Sequence, residues 1–263
     1  MDHAPDQPAV HPSPPGSQAS FLEAQVEGVA ANLALDEALL EEAHEGVIEA
    51  PIVRTWMATQ PVVVVGSSSR IDEEVDRAAC AERGVSIVRR PSGGATVVLG
   101  PGCLMWTVVA PYPLGVPALE QVHAGMLEPL CAAVAAVLAR PAIEVARYGT
   151  SDIVLVSAGE ARKISGNALR VRRHGVLYHG TLLDDFDIDL VGSILKHPPR
   201  EPVYRAGRPH AAFLANLHLG RPRLEEAVRR AFAADLLRTD WPEARMERRL
   251  RERYAESGWT ERL

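Results

Sequence analysis

The side chains best suited to chemistry lie together in Arg162-Lys163-Ile164-Ser165-Gly166-Asn167-Ala168. The chain carries 28 Lys plus Arg, yet only two of these are lysines, Lys163 and Lys196. A lysine kept in so arginine-rich a chain points to a task that needs a compact, mobile ammonium. In an extended strand Lys163, Ser165 and Asn167 face one way, and Ile164, Gly166 and Ala168 the other. An ammonium, a hydroxyl and an amide in a row suit a strand that lines a polar pocket. The competing reading is an edge strand with an ordinary surface lysine.

Two more stretches carry candidate groups. Arg89-Arg90-Pro91-Ser92-Gly93-Gly94 places a glycine pair directly after a strand. Such a pair lets backbone N–H groups converge on an anion, although alone it is more often a plain turn. Tyr178-His179-Gly180-Thr181-Leu182-Leu183 alternates polar and apolar groups late in a strand. The three cysteines, Cys80, Cys103 and Cys131, have no metal-ligand spacing and form no even disulfide set. No metal site is expected, and a reduced cytoplasmic protein is the simplest reading. There is no GxGxxG or GxxxxGK[ST] fingerprint.

These groups need strands to hold them. Helical spacing predicts a helix from Val29 to Leu40, with Asp36, Glu41 and Glu42 facing water. Strands are expected at 52–56, 62–66, 85–90, 95–99, 103–110, 143–145 and 152–156. The 62–66 run is apolar on both faces and should be central. Helices are expected from Asp72 to Arg83, from Pro117 to Leu138, from Asp187 to Lys196, from Leu224 to Leu237 and from Glu243 to Glu256. A turn centred near Arg173 pairs the Lys163 strand with 175–183, setting Asn167 opposite His179 and Ser165 opposite Thr181. Lys196, His197, His210 and His218 read as surface residues, and the C-terminal charge run as a solvated helix face. The order of elements indicates an α+β fold, a mixed and mostly antiparallel β-sheet flanked by helices.

Bulk properties narrow the function. A net charge of −6 argues against a general nucleic-acid surface. No run of about 18 apolar residues suggests a membrane span. Residues 1–20, rich in Pro, Ser and acid, read as a disordered tail. The expected divisions are that tail, a catalytic domain at 21–220 and a helical extension at 221–263.

Taken together, the motifs resemble those of the lipoate–protein ligase and octanoyl/lipoyl transferase family, which shares its catalytic domain with biotin ligases. The resemblance rests on Arg89 to Ala95, Ser151-Asp152-Ile153, Arg162 to Ala168, His179 to Leu183, and the early Asn32-Leu33-Ala34-Leu35-Asp36-Glu37. It covers about Val29 to Leu217. It implies that a carboxylic acid, lipoate or octanoate, reacts with ATP and Mg²⁺ to give an acyl-adenylate. The acyl group then passes to a lysine of a lipoyl carrier domain, in a 2-oxoacid dehydrogenase or a glycine cleavage H-type protein. Lys163 would stabilise transition-state charge, and Asp152 would orient Lys163 or take a proton. Gly93 and Gly94 would approach phosphate or acyl carbonyl, and Arg90 would neutralise phosphate. Asn167, His179 and Thr181 would line or support the pocket, with Ser92, Ala95, Ser165, Gly166 and Gly180 completing the binding set.

The departures matter as well. Where ligases carry a third glycine, this chain has Ala95, and Gly100-Pro101-Gly102 looks more like the transferase branch. Only about forty-five residues follow Leu217, so either the last helices substitute for an accessory domain, or a partner chain supplies it, or activation is not this protein's task. Known transferases hold the acyl group on cysteine. Tyr148-Gly149-Thr150-Ser151, where one branch has it, contains none, and Cys103 is the sole candidate. The alternatives are therefore an ATP-independent transferase and a carrier-binding module without turnover.

Overall fold

The computed structural model describes residues 18–24 and 26–263. Residues 1–17 of the expected tail lie outside the described residues, and Ser20 already belongs to a strand. In chain order, β1 (Ser20–Leu22) leads to α1 (Val29–Glu45), β2 (Ile52–Met57) and β3 (Val62–Val65). Then come α2 (Ile71–Glu74), α3 (Arg77–Glu82), β4 (Ser86–Arg89), β5 (Val97–Leu99) and β6 (Cys103–Pro111). Next are α4 (Leu119–Leu138), β7 (Glu144–Tyr148), β8 (Asp152–Ser157), β9 (Glu160–Arg172) and β10 (Gly175–Leu183). Last are α5 (Ile188–Ile194), α6 (His210–Phe213), α7 (Arg221–Ala231), β11 (Leu236–Arg238), α8 (Glu243–Arg249) and α9 (Ser257–Thr260).

Eight strands form one mixed sheet in the order β11-β1-β2-β6-β10-β9-β8-β7, and β4-β3-β5 form a second, small one. The long central strands alternate their side chains between two cores. Met105, Val109, Leu177 and Leu183 pack with α1 and the small sheet. Leu104, Trp106, Val108, Tyr178 and Leu182 pack with α4 and α7 on the other face. This is the expected α+β arrangement. The four-valine β3 is central in its sheet, as an apolar strand buried on both faces should be.

Several expectations are corrected by packing. The helix expected from Asp72 to Arg83 breaks at Val75, which is buried and bridged to Leu195 in extended conformation. The helix restarts at α3 with Asp76, whose carboxylate accepts from Ala79 N. The helix expected to reach Leu237 ends at Ala231. Leu236–Arg238 instead pair in parallel with β1, so the C-terminal segment contributes an edge strand to the large sheet rather than an appended helical unit. By length and composition α4 is apolar enough to cross a bilayer, but its Met126, Leu127, Leu130 and Val134 are buried in the second core.

The largest correction concerns α1. It is buried nearly all round, and Asp36, Glu37 and Glu41 lie inside with it. The arginine-rich C-terminus supplies their partners. Arg249 meets Glu41 at 2.6 Å, Arg253 pairs with Glu37, and the Tyr254 hydroxyl donates to Glu37 at 3.1 Å. The charge run thus covers α1 with countercharge instead of facing solvent alone. Asp36 has a different partner. Its Oδ1 accepts from Arg54 on β2 at 2.7 Å, and both side chains are fully buried. Removing one member of such a pair strands the other charge in a low dielectric, which is far costlier than the pair's own net contribution.

Asp36→Asn is therefore expected to lower the unfolding free energy by about 3–5 kcal/mol in urea titration. Burial opposes ionisation of Asp36, but Arg54 and His179 outweigh it and hold the carboxyl below the usual carboxylate range. Its stabilisation is complete above the unfolded value of about 3.9 and is lost as pH falls through the lower folded value. Stability measured between neutral and strongly acid pH should fall less steeply in Asp36→Asn than in the wild type. Parallel curves would remove Asp36 as a source of acid lability.

Candidate active site

The Lys163 ammonium is placed by a defect in β9. Pairing with β8 runs regularly from Asp152↔Gly166 to Ile153↔Ser165, then shifts by one so that Val154 faces Lys163. The extra residue is Ile164, which packs into the second core. Side chains opposite each other share a face, so the bulge turns Lys163 onto the face of Asp152 and Val154, away from Ser165. Lys163 Nζ meets Asp152 Oδ1 at 2.7 Å. The lysine stem crosses Gly166, where a methyl group would sit 2.9 Å from both Cε and Nζ.

The hairpin register also differs from expectation. The turn has two residues, Arg173 and His174, and Arg172 pairs with Gly175. This one-residue slip puts Asn167 opposite Gly180 and Ala168 opposite His179. Ser165 and Asn167 therefore point away from His179 and Thr181. The slip separates the two groups, and the bulge carries Lys163 back to the His179 and Thr181 side. The cavity face thus holds Asp152, Lys163, His179 and Thr181. Thr181 Oγ1 accepts from Gly166 N at 3.1 Å.

Asn167 and Ser165 work beneath that face. Ser165 Oγ donates to Asn167 Oδ1 at 3.0 Å, and Asn167 Nδ2 donates to Ser151 O at 2.8 Å. Ser151 Oγ returns a bond to Asn167 O at 2.9 Å. These bonds clamp the start of β8, and Asp152 with it, to β9. The Asn167 amide occupies the position that a side chain at Gly180 would take. Gly180 is thus a space requirement, and it lines the larger cavity together with Gly166 and Asn167, while Ser165 and Gly166 line the smaller one.

The glycine turn is built around Arg90. Arg90 donates to Val64 O at 3.1 Å, to Gly93 O at 2.6 Å and to Ala95 O at 2.9 Å. Burial pushes this guanidinium down to about 10, so it stays charged at neutral pH. Its donors hold the carbonyls of the turn, and Arg90 also lines the larger cavity described below. Gly94 adopts φ 86, the left-handed region that favours glycine.

Ser92, His179 and Asp36 form a row. Ser92 Oγ lies 2.6 Å from His179 Nε2, and His179 Nδ1 lies 3.3 Å from Asp36 Oδ2, which also accepts from Thr107 Oγ1 at 3.0 Å. The connectivity is that of a serine hydrolase relay. Its chemistry is not. Ser92 is 1% exposed, its hydroxyl also accepts from Arg90 Nε at 3.1 Å, and among the described residues it lines neither cavity below. The row locks the His179 ring and ties it to the turn. Asp36 was missed in the sequence because a polar residue on a helix is ordinarily read as its solvent face, and Arg54 on β2 and Thr107 on β6 because a lone polar residue in a strand does not show what it meets. The signal was Asp36 inside an otherwise apolar helix motif.

Two cavities meet at Lys163. One, of about 390 Å³, runs between the large and small sheets. Leu33, Val64, Leu99 and Met105 line it apolarly, and Gly94, Asp152, His179 and Thr181 supply its polar groups. The other, of about 140 Å³, has apolar walls from Phe186, Val191, Phe213 and Leu214. Lys163, Lys196, Arg200 and Arg205 also line it. Lys196 is exposed, as expected, and His210 is half-buried; both also line this smaller cavity, so both lysines of the chain border it. Ala95 lines both cavities. Among the described residues no group of three His, Cys, Asp or Glu could hold a metal ion by side chains alone.

Residues 29–235 match the lipoyl protein ligase A/B catalytic domain. The chain belongs to this family. One curated relative of the family, the octanoyltransferase LipM of Geobacillus kaustophilus, is 31% identical over 185 residues. That match covers 64% of this chain and 66%, just under two-thirds, of the relative. Among solved structures, the bi-partite lipoate protein ligase of Thermoplasma acidophilum superposes with a TM-score of 0.74 at 20% identity, over 93% of this chain and 96% of that one. A lipoate-protein ligase A bound with ATP gives 0.73 at 22% identity, over 93% and 98%. At these identities the two structures establish the family fold.

A methyl group at position 180 would displace the Asn167 amide. Gly180→Ala is expected to cost about 1–3 kcal/mol, the usual range for overpacking. The cost should shrink in an Asn167→Ala background, which a double-mutant cycle would detect. Additive losses would show that Asn167 does not fill that space.

Proposed function

We propose that the protein is an acyl-adenylate-forming ligase, which activates lipoate or octanoate with ATP and transfers the acyl group to a carrier lysine. The observation that carries this reading is the Lys163–Asp152 pair, at 2.7 Å, where the two cavities meet. The larger cavity suits an acyl chain, with apolar residues at Leu33, Val64, Leu99 and Met105. The smaller suits a nucleotide, since cations border an apolar slot. The acid's carboxylate would attack the α-phosphorus and expel pyrophosphate. The carrier amine would then attack the acyl carbonyl and expel AMP. Lys163 can stabilise the oxygen charge that develops in both steps. Asp152 already has Lys163 on one oxygen and the Tyr204 hydroxyl on the other, at 2.8 Å, which favours orientation of Lys163 over proton abstraction.

The transferase reading is favoured by the LipM relative but meets a chemical obstacle. A thioester route needs a thiolate at the site. All three cysteines are buried, and burial pushes the Cys103 thiol up to about 12. Cys103 belongs to the core against α1 and, among the described residues, lines neither cavity. Thr150 and Ser151 stand where one transferase branch has its cysteine. The expected partners are a lipoyl carrier domain and a separate accessory chain. The likeness to one chain of a ligase described as bi-partite supports the latter.

Mass spectrometry of an apo carrier domain tests the proposal. A gain with lipoate, ATP and Mg²⁺ is expected, with a candidate accessory chain added where needed. A gain only from octanoyl-carrier protein without ATP would overturn it in favour of the transferase. Lys163→Arg should lose about 10²–10³-fold in rate, the range for removing a charge-stabilising donor. Cys103→Ala should retain near-normal activity, since a buried thiol acts as a small apolar group.

A further inference from the structure

The connection between α5 and α6 reaches the Lys163–Asp152 pair through one side chain. Residues 198–209 are rich in Pro and Arg and contain a single helical turn, Val203–Arg205. The segment crosses both cavities: Arg200 and Pro202 line each of them. Arg205 Nε and Arg208 Nε donate to each other's carbonyls, and Arg208 Nη2 donates to Tyr204 O and Ala161 O. The Tyr204 ring stands edge-on to Tyr148 of β7 at 5.3 Å and lies 5.2 Å from Phe213. Its hydroxyl donates to Asp152 Oδ2 at 2.8 Å.

We propose that Tyr204 is a positioning residue for Lys163, acting through Asp152. A carboxylate has two equivalent oxygens and turns easily about its terminal bond. With Oδ2 held by the phenol, Oδ1 faces the ammonium. Lys163 is then held at its tip by Asp152 and along its stem by Gly166. Two ammonium hydrogens remain for groups in the cavities. Without the hydroxyl, Oδ2 loses its donor and the carboxylate is free to turn, so Oδ1 no longer holds the ammonium in one direction. Burial and the nearby Asp152 raise the Tyr204 pKa far above that of a free phenol, so it stays a donor at all working pH values. The other charged or titratable groups around the pair are Tyr178 and His179 on β10, Lys196 after α5, His210 at the start of α6, and Arg200, Glu201, Arg205 and Arg208 of the connection. None of the described residues among these bonds directly to Asp152.

The chain's own composition supplies the probe. With only two lysines, a protein labelled at lysine Cε gives two NMR signals, and Lys196→Arg identifies which is Lys163. At neutral pH the Lys163 signal is expected to move and broaden in Tyr204→Phe, which keeps both ring contacts but frees Asp152 Oδ2. Tyr148→Phe, which alters no bond to Asp152, should leave it unchanged. A Lys163 signal identical in Tyr204→Phe and wild type would overturn the proposal. The kinetic arm rests on the ligase reading: kcat should fall about 10–100-fold, with KM for the acid little changed. A loss in KM alone would assign Tyr204 to binding and overturn the positioning role. A chain inactive on every substrate would defeat the ligase reading, while the substrate-free spectra would still decide the role of Tyr204.

Discussion

One extra residue in β9 governs the direction of the only lysine in the sheet. A strand alternates its side chains with a period of two, so an inserted residue reverses every face beyond it. In β9 the insertion falls at Ile164, between Lys163 and Ser165. Ile164 is completely buried in the core under α4, so the bulge is held by apolar packing rather than by the polar groups it serves. Ser165 and Asn167, on that same face, anchor the start of β8 by hydrogen bonds. The opposite face presents Asp152, Lys163, His179 and Thr181 to the cavities. The two faces divide the work: one fixes the backbone and the other presents charge.

Buried ionic and polar rows extend that rigidity. Arg54, Asp36 and His179 connect β2, α1 and β10, and Ser92 carries the chain of contacts into the glycine turn. Arg90 closes the same turn from within. Groups buried in this way are costly to leave unpaired, so each restricts its neighbours to one arrangement. An active site that must stabilise transient charge benefits from dipoles and charges that need no rearrangement during reaction. The C-terminal arginines serve the outer side of α1 in the same manner, through Glu37 and Glu41. The last forty residues are therefore part of the scaffold that holds the site, and β11 extends its sheet.

The family's chemistry was legible in Arg89 to Ala95, Arg162 to Ala168 and His179 to Leu183, and so were nearly all the strands. Alternation, glycine pairs and apolar runs are local properties, and they survive into the fold. The grouping of Lys163 with His179 and Thr181 was reached from sequence through two one-residue errors that cancel for these residues. For Ser165 and Asn167 they do not cancel. A two-residue turn and a bulge leave little trace in residue types, because each is chosen by the packing of the strands on either side.

What the sequence determined by itself was the set of reactive groups, their order and the α+β class, since these depend on residue identity and short-range period. Tertiary structure decided which groups face one another. It buried Asp36 because α1 is enclosed between the large sheet and the C-terminal helices, whereas helical periodicity identifies a polar position without stating what covers it. It brought Tyr204 to Asp152 across 52 residues. It also placed both lysines beside one cavity, because β9 and the end of α5 converge there. Such meetings between distant segments follow from how sheets and helices pack, and no local pattern in either segment records them.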